Sequence, residues 1–234
     1  LIRGIQKNDN IWGYEGANSI YGNSGDDFIR GADFSGDALF GGNGTDTLYG
    51  FGGDDTLRGD DDLAINPSAV RGDDTLFGGE GADILAGLAG FNMIDGGGGI
   101  DTVDYRFAIN TIENGISYPV AVNIDLSRVV DFNNPGASAF TTYIDVRTPE
   151  VTSPVTRDIV INVENVEGAQ YGDNITGNLE ANRLRGWGGA DLIKGLGGND
   201  IIDGGVGIDT MLGGDGSDTY YADVFNDVVT ETNA

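Results

Sequence analysis

The sequence predicts an all-β fold, a parallel β-roll with two stacked-repeat arrays and a central β-strand insertion. Three observations support this prediction. A nine-residue unit recurs in register, with Gly at positions 1 and 4, Asp at position 6 and a large apolar residue at position 8. Glycine occurs 41 times, far above its average usage. Apolar residues make up 39 % of the chain and follow the same spacing, which a disordered chain would not require.

The charge of the chain limits its partners. The 234 residues include 38 Asp and Glu but only 12 Lys and Arg, so the formal net charge is −26. Self-repulsion on this scale destabilises a compact state unless counter-charge binds. Nucleic acid is also anionic, so we expect no nucleic-acid partner. A divalent cation is the expected partner.

Two residue types are missing from the composition. The chain contains no Cys and no His, which excludes disulfides, thiolate or imidazole zinc sites and His-based catalytic triads within it. No apolar stretch is long enough to span a bilayer, and no Gly-x-Ser-x-Gly motif is present. We therefore expect that the chain is not itself an enzyme. Because it begins without Met and without a secretory signal, we expect a fragment of a longer protein.

The first array covers residues 13–104, and residues 1–12 before it are an N-terminal cap or a degenerate repeat. One extra residue within 31–36 and a longer insert at 61–71 fall in the loop half of the unit, where repeats tolerate insertions. The position-6 residues are Asn18, Asp27, Asp37, Asp46, Asp55, Asp74, Asp83, Asn92 and Asp101. The position-8 residues are Ile20, Ile29, Leu39, Leu48, Leu57, Leu76, Leu85, Ile94 and Val103.

Residues 105–167 break the nine-residue period. Alternating apolar residues predict strands over residues 118–126, 140–147 and 155–163, with turns at 133–136 and 148–154. In the first of these strands, one face would carry Val120, Val122, Ile124 and Leu126. We interpret this insertion as a β-rich cap of the first array, and a ligand-binding subdomain is the alternative.

The second array covers residues 168–221. Its position-6 residues are Asp173, Asn182, Asp191, Asp200, Asp209 and Asp218. Its position-8 residues are Ile175, Leu184, Ile193, Ile202, Met211 and Tyr220. Residues 222–234 lose the glycines and gain Val224, Phe225, Val228 and Val229, so we interpret them as a strand-like C-terminal cap.

The two halves of the unit predict a metal site. Glycine-rich positions 1 to 6 can turn sharply and direct their carbonyls inward, and positions 7 to 9 form a short strand. Two units per coil would build two parallel sheets, with the position-8 residues between them. Carboxylates on the same side would then lie roughly 4.8 Å apart and repel each other. Together with loop carbonyls they form a cage of oxygens, which favours Ca²⁺ over zinc, copper or the more tightly coordinated Mg²⁺.

The unit resembles the calcium-binding nonapeptide of the repeats-in-toxin (RTX), or haemolysin-type, family. The resemblance is clearest in residues 41–57, 78–85 and 186–220. It implies a β-roll with calcium between successive same-side loops, in a secreted, toxin-like protein that type I secretion exports to the medium or the cell surface. The implied ligands are the position-6 side chains and carbonyls of loop glycines. These are Gly42, Gly44, Gly53, Gly79, Gly81, Gly97, Gly99, Gly189, Gly198, Gly205, Gly207, Gly214 and Gly216.

Three departures from the repeat predict weaker sites. Asn18, Asn92 and Asn182 offer an amide oxygen at position 6 but no charge. The weakest sites would pair Asn18 with Asp37, Asp74 with Asn92, and Asn182 with Asp200, whereas Asp191 and Asp209 would share one ion. Joining each unit to the second one along allows up to about eleven calcium ions, whose charge would offset most of the −26.

The main hypothesis is a calcium-dependent folding module of a larger secreted bacterial protein. An alternative is an adhesin or polysaccharide-binding segment on the same scaffold, and catalysis elsewhere in a longer parent chain is a third hypothesis. Support for the alternative comes from aromatic residues at positions 7 and 9, which should point outward and form a partner surface, unless adjacent β segments cover them. They are Tyr21, Phe28, Phe40, Tyr49 and Phe77.

Overall fold

The computed structural model describes residues 1–60, 72–88, 90–106, 109–113, 116–127, 140–145, 157–223 and 226–232. The insert predicted at 61–71, the turns predicted at 133–136 and 148–154, and Val224 and Phe225 lie outside these described residues. Within them every regular element is a β-strand. No helix in this part has the length and apolar character needed to cross a membrane.

The strands are short, as expected of a nine-residue unit that alternates between a loop and an extended segment. In chain order they are β1 (Ile2–Arg3), β2 (Asn10–Trp12), β3 (Ser19–Ser24), β4 (Phe28–Arg30), β5 (Ala38–Asn43), β6 (Thr47–Gly52), β7 (Thr56–Asp60), β8 (Thr75–Gly81), β9 (Ile84–Ala86), β10 (Met93–Gly99), β11 (Thr102–Asp104), β12 (Ile109–Glu113), β13 (Ile116–Asp125), β14 (Phe140–Asp145), β15 (Arg157–Ile161), β16 (Asn165–Glu167), β17 (Asn174–Thr176), β18 (Arg183–Arg185), β19 (Leu192–Gly197), β20 (Ile201–Gly205), β21 (Thr210–Asp215), β22 (Thr219–Ala222) and β23 (Val228–Thr230).

The chain forms two compact units, whose longest segments are Leu1–Val103 and Glu164–Ala234. In the first unit each strand from β1 to β9 pairs in parallel with the strand two places along the chain, so one coil consists of two repeats. Strand β10 pairs in parallel with β15, which follows the insertion. The two sheets run in the order β1-β3-β5-β7-β9-β11 and β2-β4-β6-β8-β10-β15. Residues 1–12 contribute β1 and β2 to this stack. The predicted parallel β-roll is therefore confirmed.

The pairing register of the first unit follows position 8. Ile11 lies opposite Ile29, and Ile29 lies opposite Leu48. Leu48 in turn lies opposite Leu76, although residues 61–71 separate their repeats in the sequence. The stack keeps its register across extra residues because the strand half of each unit is unchanged.

The second unit repeats this architecture. Its sheets run β16-β18-β20-β22 and β14-β13-β17-β19-β21-β23. Strand β13 is parallel to β17, but it is antiparallel to β14. The three strands predicted in the insertion correspond to β13, β14 and β15. The expectation for Leu126 was wrong, because β13 ends at Asp125 and Leu126 lies half-buried in the following turn.

The core of each unit consists mainly of position-8 side chains, which both sheets contribute. Each of these residues is 0 % exposed, namely Ile20, Ile29, Leu39, Leu48, Leu57, Leu76, Leu85, Ile94, Val103, Ile175, Leu184, Ile193, Ile202 and Met211. Burial of one such side chain contributes about 1.5–3 kcal/mol. Tyr220 is the exception among the predicted core residues, since it is only half-buried and its hydroxyl donates to the Thr230 carbonyl at 3.2 Å.

Candidate metal centre

The position-6 side chains are buried even though most of them are carboxylates. Those exposed by 3 % or less are Asp27, Asp37, Asp46, Asp55, Asp74, Asp83, Asn92, Asp101, Asp173, Asn182, Asp191, Asp200 and Asp209. Only Asn18 and Asp218, near the ends of the two arrays, are half-buried. Carboxylates are almost never buried to this extent unless they are paired, so the fold must provide them with partners.

One oxygen of each carboxylate connects successive coils. In the first unit the backbone N–H of Asp27 donates to Oδ1 of Asp46 at 2.8 Å, and the N–H of Asp55 donates to Oδ1 of Asp83 at 2.8 Å. In the second unit the N–H of Asp191 donates to Oδ1 of Asp209 at 2.9 Å. Position-6 residues predicted to lie on the same side of the roll are therefore neighbours in the structure. We call each column of position-6 residues that these hydrogen bonds join the ladder. The bonds repeat because the strand of each unit begins at position 7, directly after the position-6 residue.

The other oxygen, Oδ2, points back at its own loop. For eight carboxylates it is buried and receives no hydrogen bond within the described part of the chain. These are Asp27, Asp55, Asp74, Asp83, Asp191, Asp200, Asp209 and Asp218. A buried polar atom without a partner costs about 1–3 kcal/mol, and more when it is charged. The site therefore needs a cation or a proton at each of these oxygens.

Position 1 is glycine because the second oxygen lies against it. A Cβ atom on Gly195 would overlap Oδ2 of Asp200 and would lie 2.6 Å from the Gly213 carbonyl oxygen. A Cβ atom on Gly22 would overlap Oδ2 of Asp27 and would lie 2.5 Å from the carbonyl oxygen of Gly41. A carboxylate of one coil and a carbonyl of the next thus border the same small space. This donor set of hard oxygens, without nitrogen or sulfur, fits Ca²⁺.

The loop glycines predicted as ligands share an unusual backbone conformation. Gly42 and Gly44, at positions 2 and 4 of one loop, have φ of 112° and 125°. Glycine adopts such positive φ values readily, whereas the backbone of other residues is strained there. The remaining predicted glycines also have positive φ, namely Gly53, Gly79, Gly81, Gly97, Gly99, Gly189, Gly198, Gly205, Gly214 and Gly216. Gly207 is the exception.

The electrostatics of the ladder favour protonation when no cation is bound. Burial raises the pKa of Asp74 to about 9, of Asp173 to about 8, of Asp55 and Asp191 to about 7, and of Asp200 to about 6. Backbone N–H groups oppose this rise in pKa, whereas adjacent carboxylates add to it. A divalent cation would reverse the balance, because it stabilises the charged form of several carboxylates at once.

The three Asn residues direct their amide nitrogens at oxygens. Nδ2 of Asn18 donates to the carbonyls of Tyr14 and Gly16 at 2.7 and 2.6 Å. Nδ2 of Asn92 donates to Oδ1 of Asp158 at 3.0 Å. Nδ2 of Asn182 likewise donates to the Glu164 carbonyl at 2.8 Å. In the loops of Asn18 and Asn92 this donor fills the place where the Asp loops present an oxygen. At Asn182 the oxygen Oδ1 faces the loop instead and accepts from the N–H of Asn178 at 2.8 Å. Weaker metal sites at the three Asn residues remain a prediction.

Three further ladder residues were not identified from the sequence. The N–H of Asp9 donates to Oδ1 of Asp27 at 2.7 Å, and the N–H of Asp209 donates to Oδ1 of Asp227 at 3.0 Å. Asp158 in the insertion accepts from the N–H of Asn92 at 2.9 Å. Each is followed by a residue of any type and then an apolar one, as in Asp9-Asn10-Ile11. This half of the unit was the available signal, but the glycines before it are mostly absent.

The aromatic residues predicted as a partner surface stack on one another across neighbouring strands. The rings of Tyr21 and Phe40 lie 4.6 Å apart, and those of Tyr49 and Phe77 lie 4.7 Å apart. Phe28 contacts Tyr49 at 5.5 Å. All five side chains are half-buried. Part of the apolar surface of these side chains is therefore covered by neighbouring aromatic rings.

The comparison with family models agrees with this geometry. A model described as RTX calcium-binding nonapeptide repeat (4 copies) matches residues 3–36, 33–62, 69–103, 167–202 and 194–229. These segments cover more than half of the chain and include the stretches of Asp9 and Asp227. No curated protein sequence matches the chain. The ladder of buried carboxylates and the matched segments agree on one assignment: the chain belongs to the RTX calcium-binding nonapeptide repeat family.

Proposed function

We propose that the chain is a calcium-dependent folding module of a larger secreted bacterial protein exported by type I secretion. The observation that carries this proposal is the set of buried Oδ2 atoms without a hydrogen-bond donor, among them those of Asp191, Asp200 and Asp209. In a folded chain that lacked cations, each would be an unpaired buried charge or would have to bind a proton. The family assignment names calcium as the cation.

Two pairs of loops in the second unit illustrate the site. Asp191 with Asp209, and Asp200 with Asp218, would hold ions together with carbonyl oxygens of their glycine-rich loops. Bound calcium supplies the positive charge that the carboxylates lack. The chain's own contribution is to hold these oxygens at the spacing of successive coils, through the N–H to Oδ1 hydrogen bonds.

Calcium binding of this kind couples to folding. The unfolded chain carries a net charge of −26 and has no preformed site, so the free energy of binding becomes free energy of folding. In a low-calcium cytosol the chain would stay largely unfolded, which suits passage through a secretion channel. Outside the cell, millimolar calcium would saturate sites with Kd of roughly 10⁻⁴ to 10⁻³ M. The module itself is proposed to have no catalytic role.

Circular dichroism with and without a chelator tests this function. We expect strong β signal in millimolar calcium, its loss in excess EDTA and its recovery when calcium is restored. Magnesium at the same concentration serves as the control for ionic strength and should restore much less. A chain that keeps the same β signal in EDTA at neutral pH would contradict the proposal.

A second candidate function is binding of a polysaccharide or cell-surface ligand. The stacked rings of Tyr49 and Phe77 support it, because flat aromatic surfaces offer contact area to sugar rings. Pull-down on alginate in calcium would compare the chain with a Phe28→Ala/Tyr49→Ala variant. A Tyr221→Ala variant controls for loss of an exposed aromatic side chain elsewhere. Retention that is equal for all three proteins would contradict this function.

A further inference from the structure

The loops of the ladder differ in the backbone conformation of position 2. In one class, which we call left-handed loops, the position-2 residue has a positive φ. Within the described residues they are the loops of Asn23, Gly42, Phe51, Gly79, Leu88, Gly97, Trp187, Leu196, Gly205 and Gly214. Five of these residues are not glycine, so the conformation does not simply follow the residue type.

In the second class, the capped loops, position 2 has no positive φ and its backbone N–H points into the site. The N–H of Ala32 donates to Oδ2 of Asp37 at 2.6 Å, and the N–H of Ala169 donates to Oδ2 of Asp173 at 2.7 Å. Three more loops have the same hydrogen bond, from Ile5 to Asp9, from Asn178 to Asn182 and from Asp223 to Asp227.

The two classes differ in whether the second carboxylate oxygen, Oδ2, accepts a hydrogen bond. Seven of the eight buried oxygens without a donor belong to left-handed loops, such as Asp191 after Trp187 and Asp200 after Leu196. The eighth belongs to Asp74, whose loop includes residues 61–71 outside the described part. The buried carboxylates of the capped loops, Asp37 and Asp173, are absent from this set.

Both oxygens of a capped carboxylate already have donors. Asp173 accepts from the N–H of Val122 at Oδ1, at 2.6 Å, in addition to the N–H of Ala169 at Oδ2. Asp37 accepts from the N–H of Asn18 at Oδ1, at 2.7 Å, and from that of Ala32 at Oδ2. Two backbone N–H groups offset part of the cost of burying a carboxylate. The inward hydrogen also carries positive partial charge where a cation would have to bind.

We propose that the capped loops inside the two arrays, those of Asp37, Asp173 and Asn182, bind no calcium, and that the conformation of position 2 decides which repeats of the arrays are metal sites. This inference rests on the proposed calcium function. In the second array the capped loops of Asp173 and Asn182 could not pair with Asp191 and Asp200. The six repeats of that array allow about four ions if each repeat joins the second one along. With these two capped loops excluded, the pairs of Asp191 with Asp209 and of Asp200 with Asp218 remain, which gives about two ions. The capped coils would be stabilised by hydrogen bonds alone.

Native mass spectrometry of the full chain at saturating calcium tests the proposal by counting bound ions. Ala169→Gly/Tyr171→Gly would restore glycine at positions 2 and 4 of a capped loop, and we expect it to bind one more ion than the wild type. Ala190→Gly/Tyr221→Gly removes the same atoms at exposed residues outside positions 2 and 4, and it should keep the wild-type count.

Substitution of the carboxylates provides the complementary measurement. Asp37→Asn and Asp173→Asn should keep the wild-type ion count, whereas Asp209→Asn should lose one ion. Loss of an ion in either capped-loop variant would overturn the inference, as would an unchanged count for Ala169→Gly/Tyr171→Gly in a chain that still folds with calcium by circular dichroism. A wild-type chain that binds no calcium would instead overturn the proposed function and this inference with it.

Discussion

The backbone N–H of Asp191 donates to Oδ1 of Asp209 at 2.9 Å, while Oδ2 of Asp191 receives no hydrogen bond within the described residues. The same N–H to carboxylate bond joins Asp173 to Asp191 at 2.7 Å, one coil earlier. Each carboxylate therefore has a structural oxygen, which sets the spacing of the coils. In the left-handed loops its second oxygen, Oδ2, has no hydrogen-bond donor and can bind a cation.

Replacement of Asp209 by Asn separates these two roles. The amide keeps an acceptor for the N–H of Asp191 but removes the charge that a cation needs. We expect the calcium concentration at the folding midpoint to rise, by an amount that corresponds to about 1–2 kcal/mol. Asp215→Asn removes the same charge from an exposed residue and should change stability by less than about 0.5 kcal/mol. Equal shifts of the midpoint in the two variants would contradict this assignment.

Acid should partly replace calcium in stabilising the fold. Burial raises the pKa of Asp55 and Asp191 to about 7 and of Asp74 to about 9, above the ordinary value of 3.8. The folded chain then binds more protons than the unfolded chain from about pH 4 up to these values, so its stability falls as the pH rises through this range.

In excess EDTA, we therefore expect more β signal at pH 5 than at pH 8. With saturating calcium this dependence of the β signal on pH should weaken or reverse, because protons and calcium compete for the same oxygens. Circular dichroism measures both series. A β signal in EDTA that increased from pH 5 to pH 8 would show that these carboxylates are not buried in the folded chain.

Leu196 holds position 2 of its loop in a left-handed conformation, with φ of 81°. This conformation costs a residue other than glycine about 1–2 kcal/mol. Leu196→Gly should therefore lower the calcium midpoint of folding and raise the free energy of unfolding by about 1 kcal/mol, since the partly exposed side chain contributes little packing. Leu192→Gly is the matched control in strand β19 and should destabilise the chain. Destabilisation of similar size in both variants would contradict the role of φ.

Gly195 should tolerate no side chain, because a Cβ atom there would overlap Oδ2 of Asp200. We expect Gly195→Ala to remove one calcium ion and to destabilise the calcium-bound fold by about 1–3 kcal/mol. In Gly188→Ala the new Cβ would lie 3.5 Å from the Gln170 carbonyl oxygen, an ordinary contact. That variant should keep its ion count, and calorimetric calcium titration of both proteins makes the comparison. An unchanged ion count in Gly195→Ala would contradict the position of the site.

The sequence alone predicted the strands of the repeats, the coil of two repeats and the position-8 core. This was possible because one unit specifies both a turn and a strand, and stacking copies each contact at the next coil. The pairing of Ile29 with Leu48 is therefore an example of how the remaining position-8 residues pair. Asp9 and Asp227 could not be identified in this way. Their loops lack most of the repeat glycines, even though the Asp-x-apolar half remains in register.

Contacts between distant segments were decided only by the tertiary structure. Asp158 accepts a hydrogen bond from the N–H of Asn92, 66 residues away in the sequence, and no local pattern indicates that these two residues share a ladder. The aromatic stacking of Tyr49 on Phe77 likewise depends on which coils are neighbours. The periodicity of the sequence predicts whether a side chain points into or out of the roll. Which residue it contacts depends on where the chain rejoins the stack of coils after an insertion.

The sequence by itself determined where oxygens would gather, since the nine-residue spacing places one carboxylate in every loop. The tertiary structure decided which of these oxygens lack a donor. Trp187 and Leu196 adopt a positive φ at position 2, whereas Ala32 and Ala169 do not. The left-handed conformation costs these larger residues only about 1–2 kcal/mol. Contacts with the adjacent coils can outweigh that cost, so the choice depends on the assembled stack more than on the residue type.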